Sequence, residues 1–272
     1  MSKNQDYKPI TRFDADDEEV EVISLKHGEL ACFSDRSPMK DTPNEDALAI
    51  IPVDDEITVL AVADGMGGMP VGEQASMIVI ESLINALSTA KDEQQTRIAI
   101  LNGIDEANKN ILDLKTGAGT TVSVAEIYQN QLRTYHAGDS LILLTSSHGN
   151  IKYQSMPHSP IGYALECGAI NQENAMVHQE RNIISNYVGS NTMHIHLGPL
   201  IELAPQDTII LASDALSDNL YEQEISEFIR KGPLLESVNG MIAECQNNML
   251  KAQPDRRCHP DDFTFICFRQ NT

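Results

Sequence analysis

Two periodicities alternate along this chain. Short runs are apolar throughout or at every second residue, and longer stretches carry apolar residues three and four apart. Residues 20–25 alternate as a strand, His27-Gly28 offers a turn, and Leu30 begins the return strand of a hairpin. Residues 35–43 are loop by composition. Asn44-Glu45-Asp46 then opens an apolar strand over 47–51. The next apolar run, 57–63, stops abruptly at Asp64 and the run Gly65-Met66-Gly67-Gly68. Glycine lacks a Cβ, so backbone can come close to whatever sits beside that carboxylate. Two helices follow. The first spans 73–87, with Ala75, Ile78, Val79, Leu83, Ile84 and Leu87 inward. The second spans 92–114, with Ile98, Leu101, Ile104, Ala107, Ile111 and Leu112 inward. Two consecutive helices between groups of strands predict helices covering a sheet face.

Gly117-Ala118-Gly119 breaks the second helix. Strands at 120–127, 131–136 and 141–145 are joined by Gln129-Asn130 and by Gly138-Asp139-Ser140, connections short enough to make the strands antiparallel neighbours. Residues 146–200 have mixed character, with His158, Pro160, Gly162, Gly168 and Gly189, and read as a surface excursion or lid. A strand over 208–212 ends at Ser213-Asp214. Helices are predicted at 217–230 and 234–251, and Asp261-Asp262 opens a last strand with alternating Phe263, Phe265 and Cys267. Residues 1–18, with the acidic run Asp14-Ala15-Asp16-Asp17-Glu18-Glu19, read as a flexible acidic arm, and 19–272 as a single domain without repeats.

Composition narrows the function classes. The 272 residues carry 19 Lys+Arg against 40 Asp+Glu, a formal net charge of -21, which argues against general nucleic-acid or anionic-membrane binding. Cys32, Cys167, Cys245, Cys258 and Cys267 are odd in number and form no CxxC. They read as free thiols in a reducing, cytoplasmic compartment. No apolar run approaches the roughly 20 residues of a membrane span, and the N-terminus lacks a signal-peptide pattern. The expected state is a monomer.

One arrangement recurs: an apolar strand with an aspartate at its end. Asp46 opens a strand, Asp64 ends one, Asp139 lies in a turn between two, Asp214 ends another and Asp261 opens the last. Each alone reads first as a turn or cap residue. Together, on neighbouring strands, they would crowd like charges at a cost that cations must offset. All-oxygen ligands select hard ions such as Mg2+ or Mn2+, and two such ions bridged by a carboxylate form a phosphoryl-hydrolysis centre.

The ordered set of motifs resembles the metal-dependent protein phosphatases, the PPM or type 2C serine/threonine family. The matching segments are Asn44-Glu45-Asp46-Ala47, Val62-Ala63-Asp64-Gly65-Met66-Gly67-Gly68, Gly119-Thr120-Thr121, Ala137-Gly138-Asp139-Ser140, the stretch from His158-Ser159 through Arg181-Asn182 to Gly189, Ala212-Ser213-Asp214, and Asp261-Asp262-Phe263-Thr264. The DGMGG form is similar to the bacterial branch. The resemblance implies an α+β fold, a four-layer α-β-β-α sandwich with two central antiparallel sheets flanked by helices. It implies two Mn2+ or Mg2+ ions per site: Asp64 bridging both, the Gly65 carbonyl and Asp46 at the first, Asp214 and Asp261 at the second. A third, weaker ion would fall to Asp139, Asp214 and Asp218. Residues 155–190 would form a flap that helps choose a phosphoprotein substrate. Hydrolysis of phosphoserine and phosphothreonine would use a metal-bridging hydroxide and no phosphoenzyme.

The chain departs from the family pattern in three places. Ala215 stands where the family has glycine, a minor change if its φ is negative. The family's phosphate-gripping arginine is matched by Asp41, leaving Arg36 or Lys40 to substitute. Met66 stands where some members have a histidine to protonate the leaving alkoxide, a role left to a metal-bound water; His158 is the alternative, though it reads first as a flap residue making a structural hydrogen bond. His194 and His196, two apart, share a strand face without an evident third ligand and read as surface residues. Two alternatives stand beside the phosphatase reading: a catalytically silent binding module on this fold, and a phosphatase of small metabolites.

Overall fold

The computed structural model describes residues 8–66, 71–251 and 258–271. Two antiparallel sheets lie face to face. The first contains, in spatial order, β1 (Ile10–Phe13), β4 (Asp46–Pro52), β5 (Ile57–Asp64), β6 (Val122–Tyr128), β7 (Gln131–Ala137) and β10 (His196–Leu197), with β11 (Ile201–Glu202) also on β7. The second runs β2 (Glu21–Ser24), β3 (Gly28–Asp35), β13 (Phe263–Gln270), β12 (Thr208–Ala212), β8 (Leu141–Thr145) and β9 (Ile151–Gln154).

The central strands are apolar on both faces because both faces are covered. Along β4, Ala47, Ala49 and Ile51 face one core while Leu48 and Ile50 face another; along β5, Val59, Ala61 and Ala63 oppose Leu60 and Val62. The outer residues pack under α1 (Gly72–Leu87) and α2 (Glu93–Leu114), and their small size lets the helices come close. The inner residues meet Leu30, Cys32, Ile209, Leu211, Ile266 and Phe268 from the second sheet. The outer face of that sheet, with Phe33, Phe263 and Phe265, is covered by α5 (Asp214–Asn219), α6 (Glu222–Ile229) and α7 (Leu234–Leu250). Three cores separate four layers, the sandwich implied by the family resemblance.

Several sequence expectations are corrected. Ile98 is 51% exposed, and the buried stripe of α2 is Thr96, Ala99, Ile100, Gly103, Ile104, Ala107 and Ile111. Gly103 sits against the Leu83 backbone of α1, so this small residue sets the inward face. The helix read at 217–230 is two helices, split where Leu220 is extended at φ -131° and Glu224 accepts the Tyr221 N–H. Residues 10–13, in the segment read as a loose arm, pair with β4, and Arg12 bridges Asp17 and Glu21. Residues 1–7 of that arm lie outside the described residues. The 146–200 excursion contains β9, β10 and two short helices, α3 (Pro160–Glu166) and α4 (Gln172–Met176). Their runs are too short for a periodicity to show.

Candidate active site

Strand parity aims the first two carboxylates. Asp46 follows the alternation of Leu48 and Ile50, and Asp64 that of Leu60 and Val62, so both point between the sheets at one end of the sandwich. They are direct partners across the β4–β5 pair. The end of β5 is clamped: Thr121 N–H donates to the Asp64 carbonyl at 2.9 Å, Thr121 Oγ1 accepts the Asp64 N–H at 3.1 Å, and Thr120 Oγ1 donates to the same carbonyl. Gly65 then passes so near other backbone that a Cβ would lie 2.4 Å from the Gly72 carbonyl oxygen and 2.5 Å from that of Glu45. Close backbone approach, the reason for glycine expected from the sequence, is met at Gly65. Gly67 and Gly68 lie outside the described residues.

The second sheet delivers the other half. Asp214 opens α5 directly after β12, and its N–H donates to Asp64 Oδ2 at 3.3 Å. Asp261 precedes β13. Its neighbour Asp262 is a buried anchor whose carboxylate accepts the N–H groups of Ser37 and Glu45, each at 2.8 Å, and the Lys40 ammonium at 2.7 Å. Asp46, Asp64, Gly65, Asp214 and Asp261 line one cavity of about 550 Å3, together with Lys40, Met66, Asn182, Ile184, Tyr187, His259 and Asp262.

Carboxylates crowd this cavity, and their charge is relieved by protons or by a bound cation. Burial first, and neighbouring carboxylates second, push Asp46, Asp64 and Asp214 well above the ordinary carboxylate range; burial also raises Asp261. Asp46 Oδ2 is buried with no hydrogen-bond partner. A set of carboxylates with one backbone carbonyl, all oxygen, fits hard divalent ions.

Of the two basic candidates, Lys40 lines the cavity and Arg36 does not. Lys40 also pairs with Glu45 at 2.6 Å, and the two carboxylates hold its ammonium above the lysine range against the opposing effect of burial. Arg36 points to Asp16 on the exposed surface. Ala215 lies in α5 and is absent from the positive-φ residues, so the change from glycine is minor.

Asp139 and Asp218 lie beside Asp214 in an adjoining cleft, which the flap residue Arg181 also lines. Arg181 Nε donates to Asp218 Oδ1 at 2.5 Å, and His259 Nδ1 is 3.2 Å from Asp218 Oδ2. Sequence reasoning assigned no role to Arg181, and read Cys258-His259 beside Asp261 equally as a perturbation of the site and as loop. The sequence signals for the two were a cation in the flap motif and a histidine two residues before Asp261.

His158 does not reach the cavity. It is 1% exposed, its Nδ1 accepts the Gly138 N–H at 3.2 Å and an Asn186 amide N–H at 2.9 Å, and its ring stacks on His136. The reading of His194 and His196 as lacking a third partner needs correction. His136 and His158 lie beside His196, with one ring nitrogen of each within 4.8 Å of the others. Even so, this trio is a poor ion site. The His136 and His158 rings are stacked at 17° with centroids 4.5 Å apart, so their in-plane lone pairs do not converge. Asn186 is fixed by two bonds to the His194 backbone, which directs its amide N–H at His158 Nδ1 and leaves the proton of the neutral ring on Nε2.

Residues 37–253 match the family described as Protein phosphatase 2C. The chain is 28% identical over 215 residues to the serine/threonine phosphatase stp of Listeria monocytogenes, covering 75% of this chain and 84% of that one. It is also 28% identical over 199 residues to protein phosphatase PhpP of Streptococcus pneumoniae, covering 70% and 80%. Among solved structures, a bacterial serine phosphatase superposes with a TM-score of 0.78 at 25% identity over 90% of this chain and 98% of that one. The catalytic domain of the phosphatase PstP, solved with 2 manganese ions, shares the fold at a TM-score of 0.70 and 23% identity, over 90% of this chain and 99% of that one.

Proposed function

The chain belongs to the protein phosphatase 2C family, and from that premise we propose that it is a serine/threonine phosphatase hydrolysing phosphoserine and phosphothreonine in proteins at the Asp46–Asp64–Asp214–Asp261 cavity. The observation that carries this reading is the convergence of those carboxylates, from strand ends of both sheets, on one cavity where Asp46 Oδ2 is buried without a partner.

In this reading Asp64 would serve both ions, Asp46 and the Gly65 carbonyl would hold the first, and Asp214 and Asp261 the second. A bound Mn2+ or Mg2+ pair lowers the pKa of water toward neutrality and offsets charge on the phosphoryl oxygens. The protein contributes position and field. The Thr120–Thr121 clamp fixes Asp64, and the Asp214 N–H orients its carboxylate. Lys40, which lines the cavity while paired with Glu45 and Asp262, would add positive charge near an entering phosphate dianion. Met66, Ile184 and Tyr187 form an apolar wall that limits water.

In this reading the nucleophile is water: among the described residues the lining holds no cysteine, serine or threonine, and its aspartates would be taken up by the ions. Cys32, Cys245 and Cys267 are buried, and burial raises each thiol, Cys32 and Cys267 to about 12. Turnover of a 32P-phosphothreonine peptide with Mn2+ tests this reading. Labelled phosphate is released, and neither acid nor alkaline quench traps labelled protein; a trapped phosphoprotein would mean a side-chain nucleophile. Absence of release from folded protein, with Mn2+ and with Mg2+, would retire the enzyme and leave a silent module on the same fold. Faster turnover of small phosphate esters than of phosphopeptides would redirect the substrate class.

A further inference from the structure

The segment read as a flexible acidic arm is tied to the Asp46 side of the cavity. β1 pairs with β4 as far as Phe13 opposite Ala47, and one step further the partner would be Asp46. The pairing stops where Asp14 turns to φ +44°, a left-handed conformation that aspartate adopts more readily than most residues. Beyond the turn the arm meets Asn44. Asp14 Oδ1 accepts the Asn44 N–H at 2.9 Å, and the Ala15 carbonyl accepts an Asn44 side-chain N–H at 2.9 Å.

Asn44 is fully buried, and both ends of its side-chain amide are engaged. Nδ2 donates to the Ala15 carbonyl and, at 3.2 Å, to Ser34 Oγ, while Oδ1 accepts the Asp46 N–H at 2.9 Å. The two donations decide which way the amide faces. Turned over, Nδ2 would meet the Asp46 N–H, donor against donor. The arm and Ser34 thus set the bond that holds the Asp46 backbone, at the residue whose Oδ2 is buried without a partner.

Other contacts hold the arm without Asp14. The Asp17 N–H donates to the Ser34 carbonyl at 2.9 Å, Asp17 Oδ2 accepts the Ser34 N–H at 3.0 Å, and Arg12 pairs with Asp17 and Glu21. Asp14 itself is exposed, so removing its carboxylate leaves those ties in place. The arm also precedes the stretch 37–253 that matches the family, so this support of Asn44 comes from outside that stretch.

We propose that Asp14 is a positioning residue for the first ion: through Asn44 it fixes the pose of Asp46, and the N-terminal segment thereby sets the affinity for that ion. The inference rests on the two-ion phosphatase reading and adds a residue that the metal ligands depend on.

The test is Mn2+ binding, read from the electron paramagnetic resonance of free Mn2+, with urea unfolding in chelator alongside. Asp14→Gly removes the acceptor, and glycine suits the positive φ, so no backbone strain is added. One of the two Mn2+ dissociation constants is expected to rise about tenfold, the lower end of the range for groups that orient metal ligands, while the other changes by less than about twofold. Half-maximal turnover of a phosphopeptide then needs about tenfold more Mn2+, with kcat unchanged at saturating Mn2+. Asp14→Asn keeps an acceptor oxygen without the charge and binds as the wild type does. Glu18→Gln, which removes an exposed charge from the same arm, changes neither constant. Unchanged constants in Asp14→Gly, with or without a loss of urea stability, would overturn the proposal and leave Asp14 a structural acceptor. Equal weakening in Asp14→Asn would overturn it too, because the effect would then be one of charge. A wild type that binds fewer than two ions would overturn the phosphatase reading, and this inference with it. Two ions bound normally and indifferent to Asp14 would overturn this inference alone.

Discussion

Replacing Asp64 by asparagine isolates the charge crowding at the cavity. Asn keeps the shape and an oxygen to accept the Asp214 N–H now bound at 3.3 Å, but removes one negative charge from a group that includes Asp46, Asp139, Asp214 and Asp261. Asp46 and Asp64 face each other as Cα partners. Two unit charges about 5 Å apart repel by about 3 kcal/mol at an effective dielectric near 20. Water at the open side of Asp64 and partial protonation reduce this, so Asp64→Asn is expected to stabilise the metal-free protein by about 1–3 kcal/mol at pH 8. The direction with pH follows from the raised carboxyl pKa values. A raised folded-state pKa contributes stability below the ordinary carboxylate value, and that stability is lost as pH rises through the raised one. The advantage of Asn over Asp therefore shrinks as pH falls toward the ordinary carboxylate range. In Mn2+ the order reverses, because ion binding stabilises only the wild type. Urea unfolding in chelator and in Mn2+, at pH 8 and pH 5, reads all four cells. A variant less stable than wild type in chelator at pH 8 would refute the reasoning and make Asp64 a structural acceptor.

Lys40→Met is expected to raise KM for a phosphopeptide about tenfold with a smaller change in kcat, while Arg36→Met leaves both unchanged, because only Lys40 lines the cavity; steady-state kinetics decide. Gly65→Ala forces a Cβ to within 2.5 Å of two backbone carbonyl oxygens and is expected to cost about 2 kcal/mol or more in thermal or urea unfolding, with loss of turnover. Burial, then neighbouring histidines, lowers His158 to about 3; burial likewise lowers His136 to about 4, against its bond to the Met156 carbonyl. A lowered histidine pKa gives stability above about 6.5 that is lost as pH falls through the folded value. His136→Gln should therefore flatten the loss of urea stability between pH 6.5 and pH 4, and an unchanged slope would place that loss elsewhere.

Much of the architecture was legible because the central strands are buried on two sides and the helices on one. Unbroken apolar runs such as 47–51 and 3.6-period stretches such as that of α1 mark those environments directly. What escaped had other causes. Ile98 was misplaced because Gly103, not a large apolar residue, marks the inward face of α2. The strand at 10–13 is four residues long and half-buried, with no contrast between its two faces. At the site, Asp46 and Asp64 were readable from strand ends, and their meeting follows from a register that places them opposite each other. Arg181 and His259 arrive at Asp218 from segments without regular periodicity, and the His136–His158 stack depends on where the excursion folds back. Those juxtapositions belong to tertiary packing and leave no pattern in the order of residues.

If Asp46, Asp64, Asp214 and Asp261 jointly hold a pair of divalent ions, crystals grown with Mn2+ and measured at the manganese absorption edge will show it. Two anomalous peaks about 4 Å apart are expected, with Asp64 between them and Asp46 and Asp214 on opposite sides. A map with no peak in that cavity, or with its manganese among His136, His158 and His196, would contradict it.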